Sequence, residues 1–153
     1  MYTVKTNISQ FHQNTSGKKY KVLLNAGGGC FGYIIAKFMS GLDYDAYSKV
    51  DVVGGTSIGG ILAIIYSISN DYEEVKNMFG SATKKIFRKK ALGGIRGPMY
   101  CNEELKKFIQ KFVGDYKLSD INRLNERNLY LVVPTLDFNL TMPRVFENIN
   151  LDP

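Results

Sequence analysis

Apolar positions along the chain fall into two kinds of run. Some are short and break at glycine or proline, and others repeat at helical spacing. "YKVLLN" (20–25) is of the first kind and leads into Gly27, Gly28 and Gly29, as a buried strand would. "VDVVGG" (50–55) predicts a second strand. "NLYLVVPTLDF" (128–138) predicts a third over Leu129 to Val133, with Pro134 expected to end it. "RVFENI" (144–149) predicts a fourth.

Helical spacing fills the intervals. "FGYIIAKFMSGL" (31–42) has it, with Gly41 as a stop, and Ile58 to Ser69 forms a second, very apolar helix. "NDYEEVKNMF" (70–79) opens another. Asn70 or Asp71 serves as its cap, and Glu73 and Glu74 lie in the first turn, where the helix dipole favours negative charge. "CNEELKKFIQKFVGD" (101–115) is amphipathic, with Leu105, Phe108, Ile109 and Phe112 on one face and Gly114 as its stop. Strand, helix, strand, helix, then helices and further strand is the order of an α/β layered fold with a mainly parallel sheet. No internal repeat or low-complexity segment interrupts it.

The 153 residues suit one domain with a real core, here residues 20–153 behind a polar arm at 1–19. Cys30 and Cys101 make no disulfide framework, and no Cys/His spacing suggests a metal, so neither metal nor cofactor is expected. The N-terminus lacks the apolar core of a secretory signal. The longest apolar stretch, Ile58 to Ile68, is far short of the roughly 20 residues a membrane span needs. A cytoplasmic protein is expected, with at most peripheral contact with membranes.

Charge changes the picture in one place. Of a net +6, much sits in "KKIFRKKALGGIR" (84–96), which carries Lys84, Lys85, Arg88, Lys89, Lys90 and Arg96. Such a run is ordinarily a solvated helix face. Its sharper reading is a patch facing anionic lipid headgroups. Nucleic acid is not expected, because no binding motif accompanies the charge.

The second strand runs into "GGTSIGGI" (54–61), and Gly55-Thr56-Ser57-Ile58-Gly59 fits G-x-S-x-G between a strand and a helix. A tight turn there holds a serine with its hydroxyl exposed. The flanking small residues avoid clashes, and the following helix aims its N-terminal N–H groups at developing negative charge. The bland alternative is a glycine-lined turn with a capping serine. In a parallel sheet the C-terminal ends of adjacent strands meet on one edge. Gly27, Gly28 and Gly29 can therefore present bare backbone N–H groups where an acyl oxygen becomes an oxyanion, donors worth about 3 kcal/mol each in the barrier.

Gly27-x-Gly29-x-x-Gly32 also fits a dinucleotide-binding turn, which wants an acid near the end of the second strand. Asp51 is at roughly the right distance but at the start of that strand, which counts against it. A P-loop is excluded, since neither glycine cluster is followed by Lys-Ser/Thr. The only histidine, His12, precedes the first strand, so the Ser, acid, His order of an α/β-hydrolase is excluded too. A serine nucleophile here needs a lysine or a carboxylate as its base.

"VLLNAGGGCFGYIIAKFM", "VDVVGGTSIGGILAIIYS", "MYCNEELKKFIQKFVGD" and "NLYLVVPTLDFNLTMPRVFEN" together resemble the N-terminal part of a patatin-like phospholipase, over most of residues 20–148. The resemblance implies a three-layer α/β/α fold and metal-free hydrolysis of acyl esters of phospholipids and related lipids by a Ser–Asp dyad. Carried over, Ser57 is the nucleophile and Gly27, Gly28 and Gly29 the oxyanion turn. Two departures stand out. Phe31 lies where the family commonly has Arg or Lys. The family's Asp-Gly-Gly or Asp-Gly-Ala motif is absent, so the C-terminal part of the domain, with its aspartate, is expected to be missing.

Asp137 is the late aspartate near a strand end, and as a substitute base it competes with a plain role in a hairpin turn closed with Asn139. Asp120 reads as a helix-start residue. Cys30, beside the glycine turn, reads as a small buried filler rather than a nucleophile. Two functions follow: a lipid acyl hydrolase, or a non-catalytic relative that binds lipid or a partner.

Overall fold

Strands form where the apolar runs break off. In the computed structural model β1 (Val22–Asn25), β2 (Val52–Gly55), β3 (Tyr130–Asp137) and β4 (Met142–Glu147) lie side by side in that order. The structure describes residues 19–42, 44–69, 71–88, 102–121, 124, 129–137 and 139–148. The arm with His12, and Asn70, Lys89, Lys90, Arg96 and Cys101, lie outside them. β1 runs parallel to β2, with Val22 opposite Val52, and β2 parallel to β3, with Val52 opposite Tyr130. β3 and β4 form an antiparallel hairpin, Val132 opposite Glu147. The sheet is mainly parallel, as the patterning predicts.

One strand end differs from expectation. Pro134 does not stop β3, which continues to Asp137. β2 pairs with β3 only as far as Val132, so from Val133 onward β3 has β4 alone as its neighbour. Pro134, opposite Val145, therefore sits on an edge, where a missing N–H deprives no second strand of a partner.

The helices are α1 (Gly32–Gly41), α2 (Tyr44–Ser48), α3 (Ile58–Ile68), α4 (Tyr72–Ile86) and α5 (Asn102–Val113). The short α2 has too few residues to show a period in the sequence. Asp71 caps α4, its Oδ1 accepting the Glu74 N–H at 2.8 Å. Asp120 closes a 3-10 turn at Leu118–Asp120, its Oδ2 accepting the Lys117 N–H at 2.8 Å.

Side chains alternate across a sheet, which puts Leu23, Val53 and Leu131 on one face. α3 lies on that face and shares in two apolar clusters. Leu62, Ile65 and Tyr66 meet Ala36, Val75, Phe79 and Phe108 from the other helices. Ala63 meets Val53, Ile121, Leu129 and Leu131 of the second cluster. Two clusters claiming opposite sides of α3 explain why it is apolar all round. Each large side chain so buried contributes about 2 kcal/mol. The Tyr47 hydroxyl donates to the Tyr66 carbonyl at 2.9 Å, and the Tyr66 hydroxyl to the Ala36 carbonyl at 3.2 Å. Burial, with Tyr47 beside it, pushes the Tyr66 phenol well above its usual range.

On the other face Val22, Leu24 and Leu136 stand 55%, 71% and 51% exposed. Among the described residues the helices cover one face of the sheet, so the second helical layer of a three-layer sandwich is not seen in them. Past β4, buried Asn148 acts as a strand in miniature. Its Oδ1 accepts from the Leu131 N–H and its Nδ2 donates to the Leu129 carbonyl, both at 2.8 Å.

Candidate active site

β2 ends at Gly55 and α3 begins at Ile58, so Thr56 and Ser57 must reverse the chain in two residues. Ser57 does so at φ 54°, ψ −128°, a conformation L-residues avoid and one costing about 1–3 kcal/mol. Its neighbours make the turn possible. A Cβ on Gly55 would lie 2.6 Å from the Gly59 carbonyl carbon, and one on Gly59 would lie 2.5 Å from the Ala26 carbonyl oxygen. The Thr56 N–H donates to the Asn25 carbonyl at 3.3 Å and the Gly59 N–H to the Thr56 carbonyl at 2.9 Å, tying the turn to β1. Ser57 occupies the N-cap of α3, yet its hydroxyl makes no capping bond and the residue is exposed. The capping-serine alternative is therefore not what this serine does.

Parallel pairing of β1 and β2 sets Asn25 opposite Gly55, so the glycine turn and the elbow share one edge. A Cβ on Gly27 would lie 3.3 Å from the Ser57 Cβ and 3.3 Å from the Thr56 Oγ1. Gly29 has φ +56° and faces the Phe87 ring, with Cε1 3.3 Å from where its Cβ would be. Among the described residues nothing accepts the N–H groups of Gly27, Gly28 or Gly29. Gly32 has a different task. A Cβ there would meet the Ile58 Cγ1 at 2.6 Å and the Phe79 Cζ at 2.8 Å, so it seats α1 against α3 and α4. Asp51 lies at the opposite end of the strands, its Oδ2 accepting the Lys21 N–H at 2.8 Å, where it cannot serve a dinucleotide at the glycine turn.

Other candidates separate from this edge. Asp137 sits in the β3–β4 hairpin turn. Its Oδ1 accepts from the N–H groups of Asn139 (3.0 Å) and Leu140 (3.3 Å), and its Oδ2 pairs with the Arg144 Nε at 3.1 Å. It lies four residues, roughly 13 Å, beyond the level of Gly55 along the sheet. Cys30 is exposed, not buried as expected, because the 3-10 turn Gly29–Phe31 swings it outward ahead of α1. Lys84 and Lys85 occupy the last turn of α4, where cations suit the helix dipole, and Arg88 follows; all three are exposed. No cluster of metal-ligating side chains occurs among the described residues.

Two features escaped the sequence. Asn25, at the end of β1, is 7% exposed, and its Nδ2 is buried with no hydrogen-bond partner among the described residues. A lone amide closing the apolar run "VLLN" was its only signal. An apolar groove of about 310 Å³ also runs beside α3, lined by Ile64, Ile68, Leu118, Ile121, Val133 and Phe146. One of its lining residues, Val133, also packs against Gly60 of α3: a Cβ on Gly60 would lie 3.0 Å from the Val133 Cγ1. The groove is assembled from four separate segments, so no single stretch announces it.

Comparison with known proteins supplies a family. A family model described as patatin-like phospholipase matches residues 23–149. Patatin-17 of Solanum cardiophyllum is 28% identical over 164 residues, covering 95% of this chain and 40% of that protein. Patatin-like protein 2 of Arabidopsis thaliana is 26% identical, covering 88% of this chain and 38% of that one. Patatin-2-Kuras 4 of Solanum tuberosum is also 26% identical, over 90% and 39%. The chain thus spans about 40% of the length of the curated relatives it matches.

Proposed function

The chain belongs to the patatin-like phospholipase family, and from that premise we propose that it is the nucleophile-bearing part of a lipid acyl hydrolase with Ser57 as its nucleophile. The observation that carries the proposal is the conformation of Ser57. Ser57 is strained and exposed, and its hydroxyl, beside Gly27, makes no capping bond to the helix it precedes.

In this mechanism the Ser57 Oγ forms a bond to the ester carbonyl carbon, and the carbonyl π electrons move onto its oxygen. The N–H groups of Gly28 and Gly29, with that of Ile58 at the start of α3, donate to the resulting oxyanion. Collapse expels the alcohol and leaves an acyl-serine, which water then hydrolyses. The Oγ proton passes to a carboxylate that the described residues do not bring to Ser57. Losing such a positioned base typically lowers the rate by about 10² to 10⁴. The groove beside α3, about 310 Å³ in volume and apolar in its lining, offers a place for part of an acyl chain.

A second reading has its own observation. With no base at Ser57 among the described residues, the fold can serve as a non-catalytic lipid- or partner-binding module. A fluorophosphonate probe separates the two. The hydrolase reading expects covalent labelling that Ser57→Ala abolishes, with p-nitrophenyl ester turnover remaining weak in the 153-residue chain. Equal labelling of both proteins would remove Ser57 from the mechanism and favour the binding module.

A further inference from the structure

α1 is apolar on two sides. Gly32, Ala36 and Met39 face the core, while Phe31, Ile34 and Phe38 point the other way and stand 66%, 62% and 59% exposed. Their spacing, at i, i+3 and i+7, makes one continuous stripe down the helix. Three large side chains held in water on one rigid helix form a contiguous apolar patch of the kind that marks an interaction surface. Lys37 is exposed between Ile34 and Phe38, and no Asp or Glu occurs from residue 26 to 42.

Basic charge is packed alongside. The Tyr33 ring lies on Gly80 of α4, whose Cβ would be 2.8 Å from the Tyr33 Cε2. Lys84, one helical turn past Gly80, therefore projects from the face of α4 that meets the start of α1. Phe87 packs on Gly29 and brings Arg88 to the same corner. No acid occurs between Glu74 and Glu103 in the sequence, so the fringe carries one sign of charge. The stripe also begins at the site: a Cβ on Gly28 would lie 3.4 Å from the Phe31 Cβ.

We propose that the Phe31–Ile34–Phe38 stripe, with Lys37, Lys84 and Arg88 as its cationic fringe, is the surface on which this protein lies against an anionic lipid bilayer. The apolar side chains enter the acyl boundary and the cations meet the headgroups, the arrangement that holds an amphipathic helix in an interface. A protein partner would also cover apolar surface, but Lys37, Lys84 and Arg88, none with an acid within four residues of it in the sequence, fit a bilayer of the opposite sign better. Docked this way, the glycine turn next to Phe31 faces the lipid. That orientation rests on the hydrolase reading, whereas the binding itself does not.

The chain contains no tryptophan, so Phe38→Trp installs a single reporter on the stripe. With equimolar phosphatidylcholine and phosphatidylglycerol vesicles its emission shifts to the blue and is quenched by lipids brominated on the acyl chain. With phosphatidylcholine alone both effects shrink several-fold. Ile34→Gln with Phe38→Gln, its fold checked by circular dichroism, lowers vesicle partitioning by about tenfold or more. Repeating the measurement in Ser57→Ala protein separates the two readings, because binding persists there even if Ser57 proves inert. Reporter emission unchanged on anionic vesicles overturns the proposal. So does a concentration-dependent dimer that the double variant dissolves while vesicles bind nothing, which would make the stripe a protein interface.

Discussion

Gly27 faces Ser57 across the ends of two parallel strands, close enough that a side chain added at Gly27 would crowd the serine. A Cβ on Gly27 would stand 3.3 Å from that of Ser57, tighter than ordinary van der Waals contact. The glycine turn and the elbow are therefore one unit built from β1 and β2, and each depends on the other's small residues.

The most intolerant of those residues is Gly59. Its Cβ would press on the carbonyl oxygens of Asn25 and Ala26, backbone atoms that β1 holds in place. Gly59→Ala is expected to destabilise the fold by about 3 kcal/mol or more, at the upper end of overpacking effects. Gly41→Ala, where a Cβ meets nothing within 4 Å, is the matched control and should stay within about 1 kcal/mol of wild type. Urea denaturation followed by circular dichroism compares them. A Gly59→Ala midpoint equal to that of Gly41→Ala would refute the close packing.

Strain at Ser57 is open to direct measurement. At φ 54°, ψ −128° a Cβ is unfavourable whatever the side chain beyond it. Ser57→Gly should therefore be more stable than Ser57→Ala by about 1 kcal/mol, against the usual penalty for introducing glycine. The ordering of their thermal midpoints decides. Ser57→Ala melting above Ser57→Gly would show that the elbow stores no strain.

Asn25 buries an amide nitrogen that no acceptor among the described residues satisfies. An unsatisfied buried donor costs about 1–3 kcal/mol, and an apolar side chain of similar shape removes that penalty. Asn25→Leu is expected to gain about 1 kcal/mol in the 153-residue chain. A loss of that size in equilibrium unfolding would mean that the amide has a partner in solution.

Asp137 is tied to its own hairpin by two N–H groups and by Arg144. Asp137→Asn should lower stability by about 1 kcal/mol, since the exposed pair contributes little and the turn bonds are partly kept. Fluorophosphonate labelling of Ser57 should be unaltered. If labelling falls tenfold with the fold intact, the aspartate acts at the serine after all.

Sequence alone determined whatever depends on neighbours in the chain. Apolar period, glycine stops and the acids at 73 and 74 locate β1, β2, α1, α3 and α4, because hydrogen-bonded turns and strand alternation are local. Ser57 was legible for the same reason: only small residues on both sides let a chain reverse between a strand and a helix. Side-by-side packing decided the rest. Pro134 lies within β3 because β2 has already ended beside it. Gly32 serves Ile58 and Phe79 rather than a phosphate. Asp137 turns to Arg144, seven residues along the chain but across a hairpin. Phe31, Ile34 and Phe38 look like core in the sequence, since their period is that of a buried face. They lie in water because α1 buries Gly32, Ala36 and Met39 on its other side and, unlike α3, meets no second apolar cluster among the described residues.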